Sequence, residues 1–190
     1  MDYAYKQYYI ALRGIAEEDE GEAAADAAKE LRESFEDAQK RAETGDAEAQ
    51  LDLGMHYYYG FGTEEDEEQA FKWYEKAALQ GNSDAMHNLA WNYGQARGVD
   101  RDMDKFYEWE KKAAFAYYAE SKTAATAETA KDKIASAVHA VLCYADGAPD
   151  KEVIALFNEM RSNPQVQKYV AKRYSADPNF LDDLGKRLGA

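Results

Sequence analysis

Ala49, Leu53, Gly54, Tyr57, Gly62, Asp66, Phe71 and Trp73 come round again 36 residues later as Ala85, Leu89, Ala90, Tyr93, Gly98, Asp102, Tyr107 and Trp109. The pair Ala77 and Ala78 likewise returns as Ala113 and Ala114, with no slip in register. A fixed period of this size marks stacked supersecondary units, because one such unit buries only part of its apolar face and needs a neighbour to cover the rest. Within each period, Ala49, Leu53, Tyr57 and Gly60 recur at helical spacing on one face. Ala70, Trp73, Tyr74, Ala77 and Ala78 do the same after a glycine-containing turn, so each unit reads as two helices. Composition agrees: three prolines, few β-branched residues and alanine in every segment favour helix over sheet. The expectation is an all-α chain of 190 residues with enough apolar content, 46%, for a continuous core.

The punctuation of the unit is legible too. Gly54 and Ala90 are small where a helix midpoint ordinarily carries bulk, which predicts close approach of the second helix and packing of Trp73 or Trp109 there. Gly60 and Gly62 end the first helix, Thr63 with Asp66 predicts a capping box for the second, and Gly81 suits the left-handed position that closes it.

The stretch "AEAQLDLGMHYYYGFGTEEDEEQAFKWYEKAALQGNSDAMHNLAWNYGQARGVDRD" resembles the Sel-1-like repeat (SLR) family, relatives of the tetratricopeptide repeats. The leucine-glycine pair, the tyrosine, the loop glycines, the aspartate, the aromatic of the second helix and the double alanine carry the likeness over residues 45 to 116. The resemblance implies a right-handed superhelix of antiparallel helix pairs, an α-α solenoid that binds other proteins as a scaffold or adaptor. Stepping back by 36, Phe35, Ala42 and Gly45 fall under Phe71, Ala78 and Gly81, so residues 1–44 read as a degenerate helix pair. Its first helix would place Tyr5, Tyr8, Tyr9 and Leu12 on one face. Residues 45–81 and 82–118 are the two clear repeats. Residues 119–162 read as a degenerate third copy in which Tyr144 and Phe157 keep the aromatic positions, and "AESKTAATAETAKDK" precedes it as an insertion, either helix or loop. In residues 163–190, Asn163-Pro164 and Asp177-Pro178 each predict a capped short helix, the terminal cap of the array.

Charge narrows the partners. The net charge is −14, and residues 17 to 48 alone carry −9 while residues 151 to 190 carry +2. An acidic field repels phosphate backbones and anionic lipid, which argues against nucleic acid and membrane and leaves a protein or peptide of basic character. The plain alternative is that acidic excess keeps helices soluble. No run of eighteen uncharged apolar residues occurs, so a cytoplasmic protein is expected, or a periplasmic or secreted one if a leader preceded the chain. Cys143 is the single cysteine and sits in an apolar run, where a buried small hydrophobe is the ordinary reading.

No catalytic constellation or cofactor motif is present. Asp100, Asp102 and Asp104 start like a calcium loop, but Lys105 and Lys111 stand where its glycine and bidentate glutamate belong. His56, His87 and His139 have no second ligand at metal or triad spacing. The cysteine-rich branch of the family linked to β-lactams has paired cysteines, which this chain lacks. The informative surplus is aromatic. If Leu53, Gly54 and Tyr57 face the packed seam, then Glu48, Leu51, Met55, Tyr58 and Tyr59 point to an inner groove, joined in the next unit by Asp84, His87, Trp91 and Gln95. Met55, Tyr58, Tyr59 and Trp91 would anchor a protein or extended peptide, and the polar members would orient it. The competing expectation is that the N-terminal tyrosine helix or the C-terminal cap covers these side chains. An acidic inhibitor or immunity-type protein, occluding a basic site through residues 17 to 48, is the other function that the sequence permits.

Overall fold

The structure is a computed structural model that describes residues 3–18, 21–145 and 150–189, and among these residues there is helix but no strand. Ten helices follow in order: α1 (Tyr3–Glu18), α2 (Glu22–Glu43), α3 (Ala47–Tyr59), α4 (Glu67–Leu79), α5 (Ser83–Gln95), α6 (Met103–Thr123), α7 (Ala127–Ala145), α8 (Lys151–Ser162), α9 (Pro164–Arg173) and α10 (Phe180–Leu188). They form two compact units, Met1–Met103 and Asp104–Ala190.

In the first unit each helix packs on the next in chain order, α1 on α2, α2 on α3, α3 on α4 and α4 on α5, which is the neighbour-only packing of an α-solenoid. The 36-residue period is written into the backbone. Asp46 caps α3 by accepting from the Ala49 amide, and Asn82 caps α5 by accepting from the Ala85 amide. The Asp66 and Asp102 amides donate to the carbonyls of Tyr57 and Tyr93, folding each turn back on its own first helix. Most telling are the loop glycines. A Cβ on Gly62 would lie 2.2 Å from the Leu31 carbonyl oxygen, and one on Gly98 would lie 2.0 Å from that of Glu67. Leu31 and Glu67 are themselves 36 apart, so the turn of each unit presses on the same register point of the preceding helix, and α2 behaves there as a repeat helix.

Several local expectations change. Asp66 alone caps α4, accepting from the Gln69 amide at 2.9 Å; Thr63 lies three residues upstream and is not the cap. The residue seated on Gly54 is Tyr74 rather than Trp73: a Cβ there would stand 2.6 Å from the Tyr74 ring. Trp73 instead lies half-buried against a cluster of Ala38, Ala42, Ala49 and Leu53. Adjacent helical residues point about 100° apart, so only one of two neighbouring aromatics can fill the slot. On α1 the buried stripe is Tyr9 and Leu12, flanked by the half-buried Ala16, and Tyr8 is 46% exposed. The side chain of Tyr5 lies outside the described residues.

In the second unit the segment expected as an insertion is mostly helical. α6 runs to Thr123, α7 begins at Ala127, and between them Thr126 Oγ accepts from the Thr129 amide. Lys133 to Glu120 joins these two helices at 2.8 Å. Asp150 caps α8 and is held by Lys111, whose ammonium also pairs with Glu152. Burial pushes the Asp150 carboxyl up, but the Lys111 ammonium and the Val153 and Glu152 amides outweigh it and hold the group below its usual range. Asn163 caps α9 as expected, with Pro164 at its first position. α10 starts two residues later than Pro178, because Asp177 uses its carboxylate on the Asn179 amide in a local turn instead of opening the helix. Cys143 is only partly buried, with Sγ 3.7 Å from His139 Nε2 on the same helix face.

Candidate protein-binding surface

The first unit places the nine candidate residues on α3 and α5, but treats the two helices differently. On α5 the residues Asp84, His87, Trp91 and Gln95 are three and four apart and form one stripe. Its rear is tightly packed, with Ala85, Leu89 and Ala90 at 0% exposure, while Trp91 stands 44% exposed and Gln95 is exposed one turn beyond. Asp84 and His87 are half-buried at the start of the stripe.

α3 is closed over most of the same length. Leu51 and Met55, offered as groove residues by the sequence, are at 0% and 7% exposure and belong to the core. α3 is sandwiched between α2 and α4, and residues 49–51 and 53–56 are all buried, so the helix is covered almost all round rather than on one seam. Glu48 at its head is exposed and accepts from Asn82 Nδ2 at 3.0 Å, which ties the starts of α3 and α5 together. At its tail Tyr58 and Tyr59 are half-buried and meet edge to face at 4.8 Å. Tyr59 also stacks on Phe61 at 5.2 Å and flanks the cluster of Tyr9, Leu12, Ala27 and Leu31, while Arg13 donates to its carbonyl and pairs with Glu65 at 3.0 Å. The N-terminal helix therefore covers Tyr59. Tyr58 lies within the electrostatic reach of Arg97, itself paired with Glu67.

Two features were not anticipated. Asp52, one turn after Glu48, has its carboxyl pushed up by burial and further by Glu48 and Asp46, with Arg41 opposing. It extends the acidic margin beside Glu48, and its signal was the i, i+4 spacing of two acids on an otherwise apolar helix. Leu79 is 72% exposed at the end of α4, a single apolar side chain with no periodic partner in the helix to announce it. Among the described residues, no group of three or more His, Cys, Asp and Glu side chains is arranged to hold a metal. No helix among them is long and apolar enough to cross a membrane.

Neighbour-only helix pairs with a duplicated cap, turn and glycine contact define a helical-repeat protein. Residues 47–82 and 83–119 each match the Sel1 repeat. Among solved structures it is similar to a Sel1 repeat protein from Oxalobacter formigenes, at 26% identity over 60% of this chain and 98% of that one, with a TM-score of 0.41. It is also similar to a protective antigen of uropathogenic Escherichia coli displaying an SLR fold. There the identity is 19% over 98% of this chain and 46% of that one, with a TM-score of 0.42. Among curated proteins there is no match. Sel1 repeat proteins are in general protein-interaction modules.

Proposed function

We propose that this chain is a non-enzymatic adaptor that binds a protein or an extended peptide along the accessible stripe of α5, with Trp91 as its apolar anchor. The observation that carries the reading is the 44% exposure of Trp91 on a helix whose opposite face is sealed. A large aromatic left in water gains from being covered, and tryptophan is among the residues most enriched at the centres of interfaces. Glu48, Asp52 and Asp84 give the surrounding surface an acidic margin, the complement of a partner segment carrying lysine or arginine. His87 and Gln95 orient polar groups, Tyr58 adds a half-buried edge, and Leu51, Met55 and Tyr59 serve the fold beneath.

The test is capture from lysate of the source cell with wild type and Trp91→Ala, both first shown by circular dichroism to be helical. Loss of one prey with the variant alone supports the stripe. The exposed acids of α2, among them Glu22, Asp26, Glu33 and Glu36, favour a second reading as an acidic inhibitor of a basic site. A prey that ignores Trp91→Ala and dissociates at moderate salt would establish that one instead.

A further inference from the structure

Three polar side chains from three helices meet in the first unit at a place where the later repeat has none of them. His56 on α3 is 1% exposed. Its Nδ1 lies 2.6 Å from the carbonyl oxygen of Phe61, in the turn after α3. A carbonyl only accepts, so Nδ1 carries the hydrogen and Nε2 of the neutral ring is an acceptor. Ser34 Oγ on α2 stands 3.3 Å from Nε2 and donates to it, and the Tyr9 hydroxyl on α1 then donates to Ser34 Oγ. The direction of every hydrogen in this chain follows from the one carbonyl. One period on, Ser34 and His56 are replaced by Ala70 and Asn92, so the relay is an addition to the repeat and occurs where α1 docks.

The surroundings are apolar. The Tyr9 ring meets the His56 ring edge-on at 5.4 Å from α1, Phe35 does so at 5.9 Å from α2, and Phe61 closes the site at 6.3 Å from the turn. From α4 the ring packed on α3 is Tyr74, which sits on Gly54, two residues and about 200° round the helix from His56. Charged side chains on the helices that carry Tyr9 and Ser34 are engaged elsewhere: Arg13 of α1 with Glu65 and the Tyr59 carbonyl, Glu30 of α2 with the Tyr8 hydroxyl, and Glu33 with Lys29. Among the described residues no carboxylate is hydrogen-bonded to His56, and the new Nε2 hydrogen of an imidazolium formed here points at the Ser34 hydroxyl, which has to turn its own hydrogen away.

We infer that His56 is an acid-operated latch on α1: a proton taken up at Nε2 reverses the chain through Ser34 to Tyr9, and α1 lifts from the Tyr59 and Phe61 edge that it covers. Burial, which lowers the histidine's affinity for protons, acts in the same sense. With α1 away, the ring reaches water and titrates near its ordinary 6.5. Opening of α1 then grows about tenfold for each pH unit below that value. The inference concerns α1 and does not depend on what binds the α5 stripe.

The test is amide hydrogen exchange on the full chain at pH 7.5 and pH 5.5, corrected for the intrinsic pH dependence of exchange, with α1 compared against α4, which contains no histidine. In wild type the opening of α1 relative to α4 should rise about tenfold at pH 5.5. In His56→Asn, which installs the next repeat's residue, the ratio should stay flat. A flat wild type, or an equal rise in the variant, overturns the latch. If His56→Asn does not fold, the ring nitrogens of wild-type His56 decide by NMR. They should keep the neutral Nδ1-H pattern until the α1 amides lose protection, and a ring titrating near 6.5 with α1 still protected overturns the inference.

Discussion

Gly60 and Ala96 occupy the same place in successive repeats, the residue that closes the first helix, and both are left-handed, with φ, ψ of 67°, 33° and 58°, 43°. Their amides donate to the carbonyls of His56 and Asn92, one period apart, so the geometry is the same and only the side chain differs. A non-glycine residue in this conformation sets Cβ against its own following carbonyl, at about 1–2 kcal/mol. Ala96 is the single described non-glycine residue with positive φ. Ala96→Gly removes that strain but gives back about 0.4–1 kcal/mol, because glycine has more freedom to lose on folding. The balance is a gain of about 1 kcal/mol. With a urea m-value of about 2 kcal/mol/M, this moves the midpoint up by roughly 0.5 M. Gly60→Ala inverts the sign. It acquires the same strain, and its Cβ would sit 2.9 Å from Glu65 Cγ, a flexible group, and 3.3 Å from the Thr63 carbonyl oxygen, which is backbone. The paired measurement is urea unfolding of wild type and both variants by circular dichroism, at constant m. A midpoint for Ala96→Gly equal to or below wild type would refute the claim that the left-handed closure is strained.

Other substitutions test other contacts. Gly98→Ala should cost more than Gly60→Ala, on the order of 3 kcal/mol or enough to unfold the first unit. Its Cβ would meet the backbone of Glu67 at 2.0 Å and backbone gives way only by separating the helices, which thermal melting would show as a large loss of Tm. Asp66→Ala should lower stability by about 1 kcal/mol in urea unfolding, through loss of the α4 cap, whereas Thr63→Ala should change little. Trp91→Ala should cost less than about 1.5 kcal/mol in the same assay, because nearly half the side chain is already in water. Asp150 has its folded pKa held below the unfolded 3.8, so its contribution is fully present above that value and is lost as pH falls toward the folded pKa. Asp150→Asn keeps a capping side chain without the charge and should flatten the fall of the urea midpoint between pH 5 and pH 3.

The repeat was readable from residue identities because each period spends its glycines, caps and small residues on contacts that tolerate little else. Gly98 against a carbonyl and Asn82 on the Ala85 amide leave the same trace in sequence as in space. What periodicity conveys is which side of a helix is apolar, and that is a weaker statement than how many neighbours the helix has. On α5, sealed at the rear and open at Trp91, the two coincide. On α3 they part, since Leu51 and Met55 lie on one side, Leu53 on the other, and all three are covered. The apolar run from 53 to 59 carried that warning, because a helix apolar all round is a buried one. Tyr74 and Trp73 were exchanged for a related reason: spacing identifies a face, while the identity of the ring that enters the Gly54 slot depends on tens of degrees of rotation that composition does not encode. The His56 relay escaped because ligand and triad spacings are sought along one chain segment, whereas its members come from positions 9, 34 and 56. Its trace lies in the repeat columns rather than between neighbours. The column that holds His56 holds Asn92 next, and there the buried amide Nδ2 finds no hydrogen-bond partner among the described residues, because Ala70 stands where Ser34 does. The second repeat thus retains a polar residue whose partner it lacks. This is what one expects if the polar column serves the docking of α1 and is only carried along where no such helix docks.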